Sequence, residues 1–132
     1  MFPDELLLGN HLSNHWEITN KKLLYKNMVD YYRSLGLDPH LHLPRTHHLT
    51  CFNWQAVVKD LKGEERVWIL KPGEFTNRGN GISIFRTTRE ALETLLHNPP
   101  RTEERTYLLQ EYISPLLYEE RKFDIRCYML GV

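Results

Sequence analysis

The chain has 132 residues, of which 41% are hydrophobic and 26% are charged, and its 17 basic residues balance its 17 acidic ones. This size and composition are typical of a single globular domain. A net charge of zero argues against a general nucleic-acid-binding protein, which normally carries a basic excess. No apolar run approaches the roughly 20 residues of a membrane-spanning helix. We therefore expect neither nucleic acid nor a membrane as a partner.

The first ten residues and the two cysteines bear on the cellular compartment of the chain. Met1–Asn10 has no basic region and contains two acidic residues, so it does not resemble a secretory signal. The two cysteines, Cys51 and Cys127, are too few for a disulfide framework. Both features fit a reducing compartment.

Two helices are predicted in the first half of the chain, on either side of a loop at Pro39–Pro44. The first helix is predicted over Thr19–Gly36, because apolar side chains recur there at helical spacing. Its expected buried stripe consists of Leu24, Met28, Tyr31, Tyr32 and Leu35. The second and shorter helix is predicted over Asn53–Leu61, and its expected inward-facing residues are Trp54, Val57, Val58 and Leu61.

Histidines and one cysteine cluster between these helices, at His40, His42, His47, His48 and Cys51. Imidazole and thiolate groups are common zinc ligands. However, the cluster contains no Cys-x-x-Cys pair and no spaced histidine pair on a helical frame. We interpret these residues as exposed loop histidines, with metal binding as the alternative.

The second half of the chain is predicted to contain four strands and one helix. The strands are predicted over Val67–Lys71, Ile82–Phe85, Thr106–Ile113 and Lys122–Val132. The helix is predicted over Thr87–His97, because Thr87 followed by Glu90 has the spacing of a capping box. Its expected buried face consists of Ala91, Leu92, Leu95 and Leu96.

A glycine-rich loop, Pro72–Gly81, follows Lys71 and joins the first two of these strands. Glycines permit close backbone approach, and successive N–H groups of such a loop can form an anion site. A phosphate chain under the loop would then contact Lys71. The loop does not match a Walker motif or a dinucleotide fingerprint, because a strand rather than a helix follows it. A plain hairpin with a flexible loop explains the glycines equally well.

The last predicted strand has charged residues on one face. Alternation along it places Lys122, Asp124 and Arg126 together and puts apolar residues on the opposite face. Charges on a strand are costly unless they are paired or solvated. A salt-bridged surface of an edge strand is the interpretation that the strand alone favours. The other is a polar floor that binds a ribose and phosphates, with the carboxylate accepting from hydroxyls and the guanidinium binding phosphate oxygens.

Taken in order, these segments resemble the tubulin–tyrosine ligase-like family, whose members have the ATP-grasp fold. The matching segments are ITNKKLLYKNM at 18–28, WILKPG at 68–73, RGNGI at 78–82, LLQEYI at 108–113 and RKFDIRCYML at 121–130. The resemblance implies an α+β fold, in which an incomplete, antiparallel-rich ATP-grasp sheet has flanking helices. Residues 1–62 would be an N-terminal helical segment leading into the ligase core. Residues 63–132 would be the first part of the nucleotide-binding core, truncated at its C-terminal end.

The resemblance also implies roles for individual residues. Lys71 would contact the ATP phosphates, and a loop containing Arg78, Gly79, Gly81 and Ile82 would cover them. The adenine would be surrounded by Gln110, Glu111, Tyr112 and Ile113. Lys122 and Asp124 would reach the ribose. Arg126 would contact the terminal phosphates and act in catalysis.

The chemistry that the resemblance implies is amide ligation. ATP would phosphorylate a carboxylate, and an amine would attack the resulting acyl phosphate, joining a free amino acid (tyrosine, glutamate or glycine) to a tubulin or microtubule tail. Such an enzyme would act in the cytoplasm, at the cytoskeleton or cilium. Mg²⁺ would be needed, but its family ligands follow the KFDIR segment and are expected to be absent, so the isolated chain is expected to be inactive. The alternatives are another ATP-grasp carboxylate–amine ligase and a non-catalytic nucleotide-binding or interaction fragment.

Overall fold

The computed structural model describes residues 13–74 and 80–127. Helices and antiparallel strands alternate along the chain, in agreement with the α+β class expected from the sequence. The helices are α1 (Trp16–Thr19), α2 (Lys21–Ser34), α3 (Trp54–Asp60) and α4 (Thr88–His97), with a 3-10 turn at Pro39–Leu41. The strands are β1 (Thr46–Leu49), β2 (Trp68–Pro72), β3 (Ser83–Phe85), β4 (Tyr107–Glu111), β5 (Leu117–Tyr118) and β6 (Arg121–Lys122). No helix in the described ranges is long and apolar enough to cross a membrane.

Four strands form one antiparallel sheet in the order β1-β4-β2-β3. Because side chains alternate along a strand, the register assigns them to two faces. One face packs with α3 and α4 around the fully buried Trp68, Leu109 and Leu95. The opposite face carries Thr46, His48, Ile69, Lys71, Leu108 and Gln110, and we call it the Lys71 face.

Helix α2 begins where predicted but buries a different stripe. The side chain of Asn20 accepts hydrogen bonds from the N–H groups of Lys22 and Leu23, at 2.9 and 3.2 Å, and so caps the helix. Val29 is buried, and the Tyr25 hydroxyl donates to the Thr46 carbonyl at 2.7 Å. The predicted stripe was wrong at Leu24, Tyr31 and Leu35, which are 39%, 56% and 54% exposed. The Tyr25 contact with β1 sets which side of the helix faces inward.

Strand β1 is an element of the sheet that the sequence did not predict. His47 and His48 lie in it and are half-buried, so their interpretation as exposed loop histidines was wrong. Their backbone pairs with Leu109 and Leu108 of β4. Within residues 13–74 and 80–127, no group of three or more His, Cys, Asp and Glu residues could hold a metal ion. Strand β1 belongs to the sheet although it lies within residues 1–62. The division of the chain at 62/63 stays a prediction.

We expect the two β1 histidines to make the stability of the chain depend on pH. Burial lowers the pKa of both His47 and His48 below the ordinary value of 6.5. The unfolded chain therefore binds more protons than the folded chain once the pH falls below about 6.5. The free energy of unfolding should fall as the pH falls through this window, and should stop falling below the folded pKa values. The slope cannot exceed about 1.4 kcal/mol per pH unit for each histidine.

Urea denaturation at a series of pH values measures this slope. His47→Gln and His48→Gln should each flatten it between pH 6.5 and the folded pKa values, and the double variant should flatten it most. A change in the absolute stability of these variants does not affect the test. The slope alone gives the difference in bound protons between the unfolded and folded chains. A double variant with the wild-type slope would show that other groups cause the pH dependence.

Candidate functional site

The Lys71 ammonium lies near the end of β2, just before the glycine-rich loop. Lys71 is half-buried, and its Nζ donates to Gln110 Oε1 at 2.5 Å. Burial lowers the pKa of Lys71 below its ordinary value, and the charge of Lys21 lowers this pKa further. A bound anion would favour the charged amine and so oppose both effects. The site is therefore suited to an anionic ligand such as phosphate.

Further basic groups from α2 surround this face of the sheet. The charges of Lys22 and Lys26 act on His48, which lies on the Lys71 face. A cavity of about 750 Å³ lies between α2 and the β1 side of the sheet, and its charged lining residues are Lys22, Lys26 and Arg33 together with Asp30 and Glu103. Lys71 and Gln110 are not among the residues that line it.

The loop after β2 is anchored at its start. The N–H of Gly73 donates to the Thr106 carbonyl at 2.9 Å. The Glu74 carboxylate accepts from the N–H and the hydroxyl of Thr106, at 2.7 and 2.8 Å. Gly81 has a φ of +74°, which glycine adopts readily, and the half-buried Ile82 leads into β3. Arg78 and Gly79 lie outside the described residues.

The four residues expected around the adenine have different surroundings. The Gln110 amide lies between Lys71 and Thr46, to whose Oγ1 it donates at 2.8 Å. Glu111 alternates to the opposite face and pairs with Arg66 at 2.5 Å. The N–H of Tyr112 donates to the Val67 carbonyl at 2.9 Å. Ile113 is 65% exposed.

Ion pairs beside Glu111 were missed from the sequence. Glu64 contacts Arg45 at 2.9 Å and Arg66 at 3.4 Å, and Arg66 continues to Glu111. The sequence predicts that the Glu64–Arg66 run is a solvated turn, and only the structure shows that Arg66 pairs with Glu111 of β4. The run of charged residues between α3 and β2 was the only sequence signal for these ion pairs, and it is weak.

The prediction of a strand over Lys122–Val132 was wrong for residues 123–127. Among residues 122–127, only Lys122 is in a strand: it pairs with Leu117 in the β5–β6 hairpin, which is separate from the four-stranded sheet. Residues 123–127 have no strand assignment, and the side chains of Lys122, Asp124 and Arg126 are exposed. A strand needs a hydrogen-bonded neighbour, and none of the described residues supplies one here. Residues 128–132 of this prediction lie outside the described ranges.

The structure therefore brings part of the predicted site together. Lys71 and Gln110 lie side by side, with Gly81 and Ile82 at the end of the loop that follows Lys71. The described residues show no hydrogen bond or ion pair from Lys122, Asp124 or Arg126 to that group. Thr46, which holds Gln110, was not predicted from the sequence, because a single threonine in an unrecognised strand gives no signal by itself.

The known proteins that resemble this chain are named as tubulin glycylases and tubulin polyglutamylases. The human tubulin polyglutamylase TTLL5 is 30% identical over 123 residues, which is 92% of this chain and 9% of that protein. Tubulin glycylase 3B of Drosophila melanogaster is 44% identical over 69 residues, or 52% of this chain and 8% of that protein. The probable alpha-tubulin polyglutamylase Ttll1 of Tetrahymena thermophila is 26% identical and matches 96% of this chain and 35% of its own length.

The chain thus spans less than a tenth of the first two of these relatives and about a third of the last. The family model described as "Tubulin-tyrosine ligase family" matches residues 4–131, which is nearly the whole chain. This match includes the Lys71 face, the glycine-rich loop and the KFDIR segment. The chain belongs to the tubulin-tyrosine ligase family.

Proposed function

We propose that this chain carries the ATP-binding part of an ATP-grasp ligase that joins an amino acid to a carboxylate of a tubulin tail. The observation that carries the proposal is the half-buried Lys71 amine, held by Gln110 next to a glycine-rich loop. It lies on the sheet face opposite α3 and α4. The names of the relatives, which are tubulin glycylases and polyglutamylases, support tubulin as the protein substrate.

The proposed reaction has two steps. A carboxylate oxygen attacks the γ-phosphorus of ATP, and ADP leaves with the electrons of the broken P–O bond. The amine of the second substrate then attacks the acyl carbon, inorganic phosphate leaves, and the nitrogen loses a proton. Phosphoryl transfer is catalysed mainly by positioning and by neutralising charge. Lys71 meets that need because its ammonium donates to phosphate oxygens, and Lys21 adds positive potential close to it.

The other predicted residues keep their roles as proposals. Arg78, Gly79, Gly81 and Ile82 would cover the phosphates, because the loop that contains them begins at the Lys71 strand and leads into β3. The adenine would lie against the end of β4, where Gln110, Glu111, Tyr112 and Ile113 follow one another.

The charged residues in and after β6 need a rearrangement to take part. Lys122 and Asp124 at the ribose, and Arg126 as the catalytic residue at the terminal phosphates, require residues 122–126 to lie against the Lys71 face. Their side chains face solvent in the structure, so these roles depend on that segment finding a strand partner.

Magnesium stays a proposed cofactor, because the family resemblance implies it. Across residues 13–74 and 80–127, no cluster of His, Cys, Asp or Glu is large enough to hold a metal ion. No step of the proposed reaction is therefore assigned here to a metal ligand of this chain. The proposed site of action is the cytoplasm, at microtubules of the cytoskeleton or of cilia.

Removing the Lys71 amine should weaken the binding of ATP but not that of adenosine. We expect Lys71→Met in the 132-residue chain to lower ATP affinity by about 10-fold to 100-fold, the usual effect of losing a charged hydrogen bond. Isothermal titration calorimetry with ATP and with adenosine measures both affinities. The wild-type preference for ATP over adenosine should shrink by the same factor in the variant.

Lys59→Met is the matched control, because Lys59 is exposed on α3, which packs on the opposite face of the sheet. It should leave both affinities unchanged. The nucleotide site would be refuted if the wild-type chain showed no preference for ATP, or if Lys71→Met retained it in full.

A further inference from the structure

Three hydrogen bonds in series run from Lys71 to the β1 edge of the sheet, on the Lys71 face. Lys71 Nζ donates to Gln110 Oε1 at 2.5 Å, and Gln110 Nε2 donates to Thr46 Oγ1 at 2.8 Å. The Thr46 hydroxyl then donates to the Pro44 carbonyl at 2.8 Å. Thr46 and Gln110 are directly opposite each other in the β1–β4 register, and Lys71 reaches Gln110 from a neighbouring position of β2.

The chemistry of these groups allows only one direction for the series. An ammonium can only donate, so the oxygen of the Gln110 amide must face Lys71. Its NH₂ group then faces Thr46, whose oxygen must accept. The Thr46 hydroxyl proton is directed to Pro44, because a carbonyl can only accept. A flipped amide would bring two donors together at Lys71.

Thr46 is itself fixed in place. It is 4% exposed, and its carbonyl accepts the Tyr25 hydroxyl at 2.7 Å. The strand pairing with Gln110 fixes its backbone from the other side. Thr46 is therefore held by both α2 and β4, and this makes it a rigid support for the Gln110 amide.

We propose that Thr46 is a positioning residue that orients the Gln110 amide and thereby sets the place of the Lys71 ammonium for an ATP phosphate. The inference rests on the proposed function of Lys71. It changes the expected role of Gln110: its amide oxygen is taken by Lys71 and one N–H by Thr46, so the side chain supports the lysine rather than reading the adenine. Thr46 acts only through Gln110 and does not touch the nucleotide.

The test compares Thr46→Val, which keeps the shape but removes the hydroxyl, with Thr46→Ser, which keeps the hydroxyl. We expect Thr46→Val to lower ATP affinity about fivefold, the usual effect of one neutral hydrogen bond, and to leave adenosine affinity unchanged. Thr46→Ser should bind ATP like the wild-type chain. Introducing Thr46→Val into the Gln110→Leu chain should cause no further loss of ATP affinity, because the Gln110 amide through which Thr46 acts is already absent.

A second measurement does not depend on nucleotide. Trace acetylation of the chain at a series of pH values, followed by mass spectrometry, gives the titration midpoint of the Lys71 amine. Losing the oriented acceptor disfavours the charged amine, so the midpoint should move down in Thr46→Val and return in Thr46→Ser. A purely structural role for Thr46 would lower stability without moving this midpoint. Thr46→Ala provides the same comparison should the valine variant not fold.

The two readouts separate the possible failures. A wild-type chain that does not bind ATP, with a shifted midpoint in Thr46→Val, would refute the proposed function and retain the positioning of Lys71. A folded Thr46→Val chain with the wild-type midpoint and the wild-type ATP affinity would overturn the positioning role. An additive loss in the Thr46→Val/Gln110→Leu chain would overturn it as well.

Discussion

Replacing Trp68 by alanine should lower the free energy of unfolding by about 3–5 kcal/mol, the range for deleting a buried tryptophan side chain. Trp68 of β2 has no exposed surface and belongs to the core cluster that also contains Ala91 and Leu95 of α4. Its indole N–H donates to Thr88 Oγ1 at 2.9 Å, and the His47 ring lies 5.8 Å away. The substitution removes the packing of a large ring and this hydrogen bond together.

Urea denaturation followed by circular dichroism measures the change. Trp16→Ala is the matched control, because Trp16 is 44% exposed in α1 and should cost less than about 1 kcal/mol. Trp68→Phe separates the two contributions: it keeps an aromatic ring and loses the indole N–H. Thr88 Oγ1 still accepts from the N–H of Arg66 at 3.3 Å, so the cost should be only about 1–2 kcal/mol.

The Trp68 variants also decide whether this core folds as described. Should Trp68→Ala abolish folding altogether, Trp68→Phe still gives a measurable loss. A Trp68→Ala chain as stable as Trp16→Ala would contradict the placement of Trp68 in the core.

Local patterns predicted most of the helices and strands because their periodicity is visible in one segment at a time. The capping box at Thr87 is an example: its hydroxyl accepts from the N–H of Glu90 at 3.2 Å, and α4 begins at Thr88. Ala91 and Leu95 are fully buried as expected, although Leu96 is 58% exposed. Strand β2 likewise was predicted from a short apolar run bounded by turn residues.

Partners that are distant in sequence were not predictable in the same way. Strand β1 contains two histidines and only one aliphatic residue, Leu49, so its pattern shows neither strand period nor burial. It becomes a strand because β4 offers a hydrogen-bonding edge about 60 residues later in the chain. In contrast, residues 123–127 have a clear alternating pattern but no neighbouring strand among the described residues. Alternation predicts faces, and pairing decides whether a strand forms.

The same distinction applies to the candidate site. Lys71 was predicted because it ends a strand ahead of a glycine-rich loop, and both features are local. Its contact with Gln110 depends on the β2–β4 register, and the support from Thr46 depends on the β4–β1 register. A single sequence contains no signal for either register. Lys71 and Gln110 were therefore predictable as site residues, whereas their contact with each other and the support from Thr46 required the structure.

Replacing Gly73 by alanine should destabilise the chain by about 3 kcal/mol, at the upper end of the usual cost of overpacking. A Cβ at this position would lie 2.1 Å from the Thr106 hydroxyl oxygen and 3.2 Å from the Thr106 Cβ. Gly73 is buried and is not among the described glycines with positive φ. Its backbone conformation alone would therefore permit alanine, and a site with space would gain about 0.4–1 kcal/mol from that change. The sign of the measured effect thus tests the contact directly.

A double-mutant cycle with Thr106→Ala identifies the atom responsible. Thr106→Ala alone should cost about 1 kcal/mol, because Glu74 loses the hydroxyl but keeps the Thr106 N–H. With the hydroxyl removed, Gly73→Ala should cost only about 1 kcal/mol, since the remaining contacts need shifts of a few tenths of an ångström. Gly36→Ala is the comparison, because Gly36 has a φ of +71° and open space around it. Its cost of about 1 kcal/mol should be the same with or without Thr106→Ala. Additive costs for Gly73→Ala and Thr106→Ala would contradict the close approach of the loop to the start of β4.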